Sequence, residues 1–424
     1  MIANFPDMIA GSLNLSEPWY VEGAEFSPEK KEVHIYVNVR EGAEFACPSC
    51  GGATVRNGYE PTERVWRHGD CLFYPSFVHC KRPRVRCPHC GTKQISAPFE
   101  RKNSRFTLLF EGYAMLILAD MPRAKAAEIL RCNEKSLSAI LSYWVNEAVS
   151  RQDLKGLVRL AVDETSRFRG HDYVTVFVDA DRRRVIDVEQ GREKSVISTF
   201  AEKLEKHGGS KEAVCAVTSD MSKSYLPGIA ENFPNALSVI DKFHVKQILT
   251  NALDMVRKEE QKSSEAKQAL FQGRRLFMIP RGRMSEQQAA KLDSLSKRYP
   301  KTGKAYSIVA ALDDFYACYT VEEARNAFDS LYSWMRRCRL QPMKDAATTL
   351  RNHKEKILAY FYHRITNAVC EGINSMIQAA KRKARGFNTY EGFASMIYLV
   401  AGKLFRSNVK HLGIRILVND EMTY

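Results

Sequence analysis

Nowhere in its 424 residues does the sequence run to 18 or more consecutive apolar residues, which excludes an ordinary membrane-spanning helix. The opening stretch, Met1 to Asn14, has no basic segment leading into an apolar one, so no secretory signal is expected there. An even complement of cysteines is also missing. Eleven are present, and they are expected as intracellular thiols or metal ligands rather than disulfides, in keeping with a cytoplasmic protein. Negative charge is in short supply: 49 Asp plus Glu stand against 64 Lys plus Arg, a formal net charge of +15. An excess of that size points to a polyanionic partner, of which nucleic acid is the commonest. What is abundant is apolar residue, 45% of the chain, which excludes a disordered polypeptide and supplies cores for roughly two to four domains.

The first segment alternates Val33, Ile35, Val37 and Val39 with polar residues, the period of a half-buried strand. Cys47-Pro48-Ser49-Cys50-Gly51 follows, and Cys87-Pro88-His89-Cys90-Gly91 repeats its form. In each, two thiolates face one ion across a tight turn that the glycine relieves, and two such knuckles complete a tetrahedral structural zinc site. The strand-like linker between them predicts a zinc ribbon with an inserted hairpin. Cys71, Cys80, His68, His79 and His89 are expected to be structural or surface residues rather than ligands. Lys81, Arg82, Arg84, Arg86 and Lys93 crowd around the second knuckle, and Arg82, Arg84 and Arg86 are candidate phosphate contacts.

Three helices are predicted next. Leu108, Leu109, Tyr113, Leu116 and Ile117 mark the apolar side of the first, which Met121-Pro122 ends. Ala126, Ala127, Ile129 and Leu130 form a short second helix. Asn133 is placed to cap a third, from Glu134 to about Val145, with Leu137, Ile140, Leu141 and Trp144 on one face. A short helix, a three-residue turn and a longer helix make a helix-turn-helix, with Lys135, Ser136 and Ser138 near the start of the recognition helix.

The chain then turns β-rich. Leu157 to Val162 is read as a strand ending on Asp163, Tyr173 to Asp179 and Arg184 to Val188 as a hairpin, and Ala213 to Ser219 as a strand ending on Asp220. Between them lies a helix carrying Val196, Phe200 and Leu204, and Leu237 to Ile240 ends on Asp241. Three hairpin-linked strands followed by alternating helices and strands is the order of a ribonuclease-H-like core, with two aspartates at adjacent strand ends. By alternation Glu164 points away from Asp163, and Asp179 and Asp181 belong to the hairpin turn. Phosphodiester cleavage needs two magnesium ions about 3.5–4 Å apart, and hard cations need clustered carboxylates. Glu371 is the candidate third acid. Its helix is expected to bury Ile365, Val369, Ile373, Met376 and Ala380, while Asn367, Glu371 and Asn374 share another face. Lys381, Arg382, Lys383 and Arg385 follow, placed for a DNA backbone. From about Met255 to Asn352 the sequence reads as an all-helical insertion whose aromatics, Tyr306, Phe315, Tyr316, Tyr319, Phe328, Tyr332 and Trp334, form its core.

In this order the motifs resemble those of the bacterial insertion-sequence transposases of the ISL-three family, from about Cys47 to Phe405. The resemblance rests on the two Cys-Pro-x-Cys knuckles, Val162-Asp163-Glu164, Arg169-Gly170-His171-Asp172-Tyr173 and Ser219-Asp220-Met221-Ser222. It continues through Asp241-Lys242-Phe243-His244-Val245, Thr366-Asn367 to Glu371-Gly372-Ile373-Asn374, and Lys381-Arg382-Lys383-Ala384-Arg385-Gly386-Phe387. It implies an Asp-Asp-Glu transposase acting on its own terminal inverted repeats, with Asp163, Asp220 and Glu371 matching the catalytic acids. Asp241 and His244 match a recurring motif and, with Asn367 and Asn374, are candidates to support the metal ligands.

The expectation is a multidomain α/β chain. Residues 1–100 form a β-rich zinc ribbon, 101–150 a helix-turn-helix, and 151–258 and 353–424 the two parts of a ribonuclease-H-like core around a helical insertion at 259–352. Two Mg2+ ions, with Mn2+ as substitute, and a structural Zn2+ are the expected cofactors. Double-stranded DNA, as transposon ends and target, is the expected partner, bound by a homodimer or larger assembly and without a membrane. Two rivals remain open: a catalytically silent DNA-binding derivative, and a structure-specific nuclease of the same fold.

Overall fold

The computed structural model describes residues 5–168, 172–221, 224–262, 264–364 and 368–404. The chain divides into two compact units, Met1–Arg151 with Gln378–Tyr424, and Gln152–Ile377.

The first unit opens with α1 (Phe5–Ser12), followed by eight strands: β1 (Trp19–Ser27), β2 (Glu32–Val39), β3 (Glu44–Ala46), β4 (Ala53–Tyr59), β5 (Arg64–Cys71), β6 (Tyr74–Cys80), β7 (Pro83–Cys87) and β8 (Gly91–Gln94). They make two four-stranded sheets, ordered β1-β2-β6-β5 and β3-β4-β7-β8. The expected alternation in β2 is present: Val33, Ile35, Val37 and Val39 are buried with Trp66, Val78 and Phe99. The second sheet consists of two hairpins, each turning on a Cys-Pro-x-Cys knuckle. The β5–β6 hairpin leaves this sheet and joins the other one.

Helices α2 (Leu108–Asp120), α3 (Arg123–Leu130) and α4 (Glu134–Ser150) follow. Thr107 and Asn133 cap α2 and α4, each accepting a backbone N–H through its side chain. Leu137, Ile140 and Leu141 are buried as expected. The α2 face differs from expectation: Phe110, Ala114 and Leu118 are buried, while Tyr113 and Leu116 are exposed. Glu111 explains the rotation. Its fully buried carboxylate accepts from Arg101 Nη2 at 2.8 Å, Trp144 Nε1 at 2.8 Å and Ser104 Oγ at 2.5 Å, which turns that side of α2 inward.

The second unit is built on β9 (Arg159–Phe168), β10 (Asp172–Asp179), β11 (Arg184–Gln190), α5 (Lys194–Lys206), β12 (Ala216–Ser219), α6 (Tyr225–Asn232) and β13 (Leu237–Ile240). The sheet order is β11-β10-β9-β12-β13. The β10 strand is antiparallel to both its neighbours, and β9, β12 and β13 run parallel. Leu160, Val162, Phe177 and Val217 pack one face against Val196, Phe200 and Leu204 of α5. β9 runs five residues beyond Asp163, so this aspartate lies within a strand rather than at its end. The antiparallel pairing with β10, Asp163 opposite Val176, carries the strand onward. Asp179 does form the hairpin turn, accepting the N–H groups of Asp181 and Arg182.

The rest of the described chain is helical: α7 (Lys242–Glu260), α8 (Ser264–Gly273), α9 (Glu286–Arg298), α10 (Pro300–Ala317), α11 (Val321–Arg337), α12 (Gln341–Asn352), α13 (Lys354–Leu358), α14 (Tyr360–His363), α15 (Ala368–Lys383) and α16 (Tyr390–Ala401). Tyr306, Phe315, Tyr316 and Phe328 lie in a common core with α7 and α12, but Tyr319 stands 88% exposed in the α10–α11 turn. The stripe of α15 is also shifted. Cys370, Ile373 and Ile377 are buried and Met376 is exposed, so the buried line is displaced from the expected Val369–Met376 line. α16 belongs to the first unit and packs on α4. Among the described residues no helix is long and apolar enough to cross a membrane.

Candidate functional site

Both knuckles close in the same way. Gly51 and Gly91 take φ of +74° and +71°, and the Gly51 N–H returns to the Cys47 carbonyl at 2.8 Å. The sulfurs of Cys47, Cys50, Cys87 and Cys90 thereby lie within 4.8 Å of one another, the donor set of a structural zinc ion. The backbone N–H groups of Ser49, then Cys50, draw the Cys47 thiol down to about 7, toward the thiolate a metal requires. Cys80 is a core residue, and His68 is buried between Ser12 Oγ and Thr107 Oγ1, so neither competes as a ligand. Of the basic residues beside the second knuckle, Arg84 and Arg86 are exposed on β7. Arg82 instead directs its guanidinium to Glu60 at 3.0 Å and Glu100 at 3.3 Å.

At the start of α4, Lys135 is exposed and Ser136 gives its N–H to the Asn133 cap at 2.7 Å. The Ser138 hydroxyl is engaged locally, accepting from Arg123 Nη1 and donating to the Glu134 carbonyl, both at 2.9 Å.

The acids of the second unit are aligned by strand register. Thr218 pairs with Ala161 and Ser219 with Ile240, and the Asp241 N–H continues the ladder to the Ser219 carbonyl at 3.1 Å. Carried onward, that register sets Asp163, Asp220 and Asp241 in one row across β9, β12 and β13. By alternation the row lies on the face opposite Val162 and α5. Asp241 immediately precedes α7, which puts His244 in the first turn of that helix. The fourth acid, Glu371, comes from the first turn of α15, and one turn later Asn374 Nδ2 donates to Asp163 Oδ2 at 2.7 Å.

Burial first, then mutual repulsion, raises the carboxyls of this group. Burial pushes the Asp163 carboxyl up to about 6, and the charges of Asp220 and Asp241 add to it. The Glu164 N–H and His244 act in the opposite direction. Glu371 is raised by burial and by Asp241, again opposed by His244. The buried Cys370 thiol is held high by burial and by Asp163, Asp241 and Glu371. Asp241 is therefore a member of the cluster in its own right, only 4% exposed.

A cleft of about 440 Å3 opens beside these acids, lined by Glu164, Arg192, Asp220, Ser224, His244 and Asn251 among others. Glu164 does sit on the opposite face from Asp163, paired with Thr175, whose hydroxyl meets Tyr225 at 2.9 Å. The cleft nevertheless takes in Glu164 together with Asp220, and burial, then the Asp220 charge, raises the Glu164 carboxyl. Sequence periodicity had no means of finding this, nor Arg192, which faces Glu164 at 3.9 Å. Asn367 lies outside the described residues, as do Arg169 to His171, Ser222, Ile365, Thr366 and Phe405. Lys381 is half-buried and Lys383 reaches the Asp120 carbonyl at 3.2 Å, while Arg382 and Arg385 are exposed.

Residues 160–397 match a family model described as transposase, of the DDE type, and residues 95–145 match the helix-turn-helix domain of transposase family ISL3. The transposase for insertion sequence element IS1557 of Mycobacterium tuberculosis is 25% identical over 419 residues, covering 91% of this chain and 93% of that protein. The transposase for insertion sequence element IS1001 of Bordetella parapertussis is 26% identical over 357 residues, covering 82% and 86%. A DDE domain implies use of a divalent metal, and a helix-turn-helix implies DNA as partner. With more than half of its length matched by the DDE model and its helix-turn-helix by the companion model, the chain belongs to transposase family ISL3.

Proposed function

We propose that Asp163, Asp220 and Glu371 are the catalytic acids of a transposase that cuts and joins the terminal inverted repeats of its own insertion sequence. Asp241 and His244 belong to the same site. The carrying observation is the common row of Asp163, Asp220 and Asp241, together with the Asn374 bond that ties the Glu371 helix to Asp163. The core reads as ribonuclease-H-like, supported by its five-strand order with β10, second in the sheet beside the central β9, the one strand running opposite to the rest.

The residues fit divalent cations. Clustered carboxylates with raised affinity for protons are groups that a cation stabilises in their charged form. Among the described residues the four cysteines are a separate ligand group, their sulfurs within 4.8 Å of one another. The chemistry of phosphodiester cleavage calls for two cations about 3.5–4 Å apart, and the four acids are enough carboxylates to hold them. Mg2+ ions held there would supply Lewis-acid charge and an activated nucleophile for cleavage and for strand transfer. Asn374 orients the Asp163 carboxylate, and Arg192 offsets the charge of Glu164 at the cleft. Zn2+ on the four cysteines would hold the ribbon together.

Recognition of the repeat falls to the helix-turn-helix through Lys135 and Ser136, with Ser138 beside them, and phosphate contact to Arg84, Arg86, Lys381, Arg382, Lys383 and Arg385. Arg82 supports the ribbon through Glu60 and Glu100. The five-part domain division of the sequence is part of this reading. The packing of α16 on α4 favours counting the segment from about 378 with the N-terminal domains. A dimer or larger assembly forms on DNA, because two ends must be joined in one event.

The test is incubation with Mg2+ and duplexes carrying the DNA that flanks the gene on each side, scoring nicks and joined products. Cleavage and joining that vanish in Asp163→Ala support the reading. Binding without cleavage under any divalent metal identifies a silent DNA-binding derivative instead. Cleavage governed by junction shape alone, without strand transfer, identifies a structure-specific nuclease.

A further inference from the structure

The tip of the β5–β6 hairpin has no role in the zinc site or among the acids. Cys71 pairs directly with Tyr74, so the loop is only Leu72 and Phe73. Both sit in the left-handed region, with φ of +50° and +70°, a conformation that two-residue hairpins ordinarily fill with Asn-Gly. Large apolar residues are disfavoured there on backbone grounds, and these two are also 81% and 88% exposed. Behind them the rings of Phe26 and Tyr74 meet tilted at 58°, with centroids 4.9 Å apart.

The tip is fixed to the helix-turn-helix. Arg131, which ends α3 in a left-handed conformation, donates from Nη1 to the Phe73 carbonyl at 2.9 Å and pairs with Asp70 at 3.7 Å. Strand β5 is further joined to the lead-in of α2, where Arg67 donates its N–H to the Arg105 carbonyl and accepts that of Thr107. A doubly apolar point is thus held beside the turn that precedes the recognition helix.

We infer that Leu72 and Phe73 form a wedge that inserts between base pairs of the duplex read by α4. The inference rests on the reading of α3 and α4 as a DNA-binding helix-turn-helix. Size decides between the occupants. Two side chains cover at most roughly 400 Å2, well short of the roughly 800 Å2 per partner of a stable protein interface. One or two apolar side chains do suffice to unstack a base step and kink DNA, and Phe and Leu are residues used for it. The wedge separates stacked bases next to the helix-turn-helix contact, bending the transposon end.

The test uses the full-length protein and duplexes of the gene-flanking DNA in which 2-aminopurine is scanned along the end. Wild type should raise the fluorescence several-fold at one step. Leu72→Asn with Phe73→Gly, a pair suited to this turn, should keep the thermal melt, abolish that rise and weaken binding about 10-fold. Lys135→Ala with Ser136→Ala tests the underlying reading and should lose specific binding. If the turn variant binds and unstacks like wild type while the helix variant fails, the wedge is wrong and the helix-turn-helix reading stands. If the helix variant binds like wild type, the reading beneath the wedge falls with it. A changed sedimentation coefficient of the DNA-free turn variant, with unstacking intact, makes the tip a contact between copies and overturns the proposal.

Discussion

Asn374 Nδ2 lies 2.7 Å from Asp163 Oδ2, a hydrogen bond that spans 211 residues of chain and joins α15 to the central strand β9. Because Glu371 is one turn earlier on the same helix, this contact sets where the fourth carboxylate can reach. Asn374→Ala is expected to lower the cleavage rate of end-bearing DNA by about 10- to 100-fold, the usual cost of losing a group that orients a metal ligand. DNA affinity measured without metal should not change. An unaltered rate in Mg2+ would mean that the bond serves folding alone.

Asp241 should matter nearly as much as the three matched acids. It shares their row, is buried, and raises both Asp163 and Glu371. Asp241→Asn is expected to lower cleavage by at least about 100-fold while leaving the helical content by circular dichroism intact. Weaker dependence on Mg2+ concentration in the variant than in wild type would contradict a place near the cations.

Elemental analysis should find one zinc per chain. Cys50→Ser or Cys87→Ser should lose it and unfold the ribbon, since zinc contributes about 10–16 kcal/mol to comparable small sites. Limited proteolysis would then cut between β3 and β8 in the variant and spare wild type. Full zinc content in either variant would point to another ligand set.

Acid should destabilise the first unit through His68. Burial first, then the charge of Arg67, lowers this imidazole from its ordinary 6.5 to about 4. The folded state therefore binds the proton less readily than the unfolded chain. The stabilisation is fully present above pH 6.5 and is lost as pH falls toward 4, by about 3 kcal/mol. Urea midpoints at pH 7 and pH 4.5 measure it, and His68→Asn should flatten the difference by most of that amount.

Removing the buried carboxylate of Glu111 leaves Arg101 and Trp144 without their acceptor. Glu111→Ala is expected to cost about 3–5 kcal/mol, as for other broken buried pairs. Chemical unfolding followed by Trp fluorescence reads it directly, and a loss under about 1 kcal/mol would show that the site relaxes to admit water.

Much of the site could be read from the sequence, for physical reasons that differ by element. The knuckles were legible because ligand spacing and glycine are both local. Asn133 was legible because a cap acts within three residues, and the strands leading to Asp163, Asp220 and Asp241 because buried parallel strands are continuous apolar runs. Other features were misread where a local pattern was overruled. The apolar residues of α2 suggested Tyr113 and Leu116 inward, but the Glu111–Arg101–Trp144 cluster turned that helix. Arg82 looks like its neighbours Arg84 and Arg86 in sequence, and only the position of Glu60 and Glu100 separates it from them. Glu164 was set aside by strand alternation, which holds along the strand but not for a cleft that takes in residues from both faces.

By itself the sequence determined the order of elements, the cysteine knuckles and the capped third helix of the helix-turn-helix, all properties written in spacings of a few residues, and it named the acids proposed for catalysis. Tertiary structure alone decided that Asp241 stands in the row with Asp163 and Asp220, that Asn374 grips Asp163, and that Arg131 holds an apolar hairpin tip. Those relations depend on strand register and on packing between segments far apart in the chain. No local period encodes either, because register is chosen by which buried faces can close together.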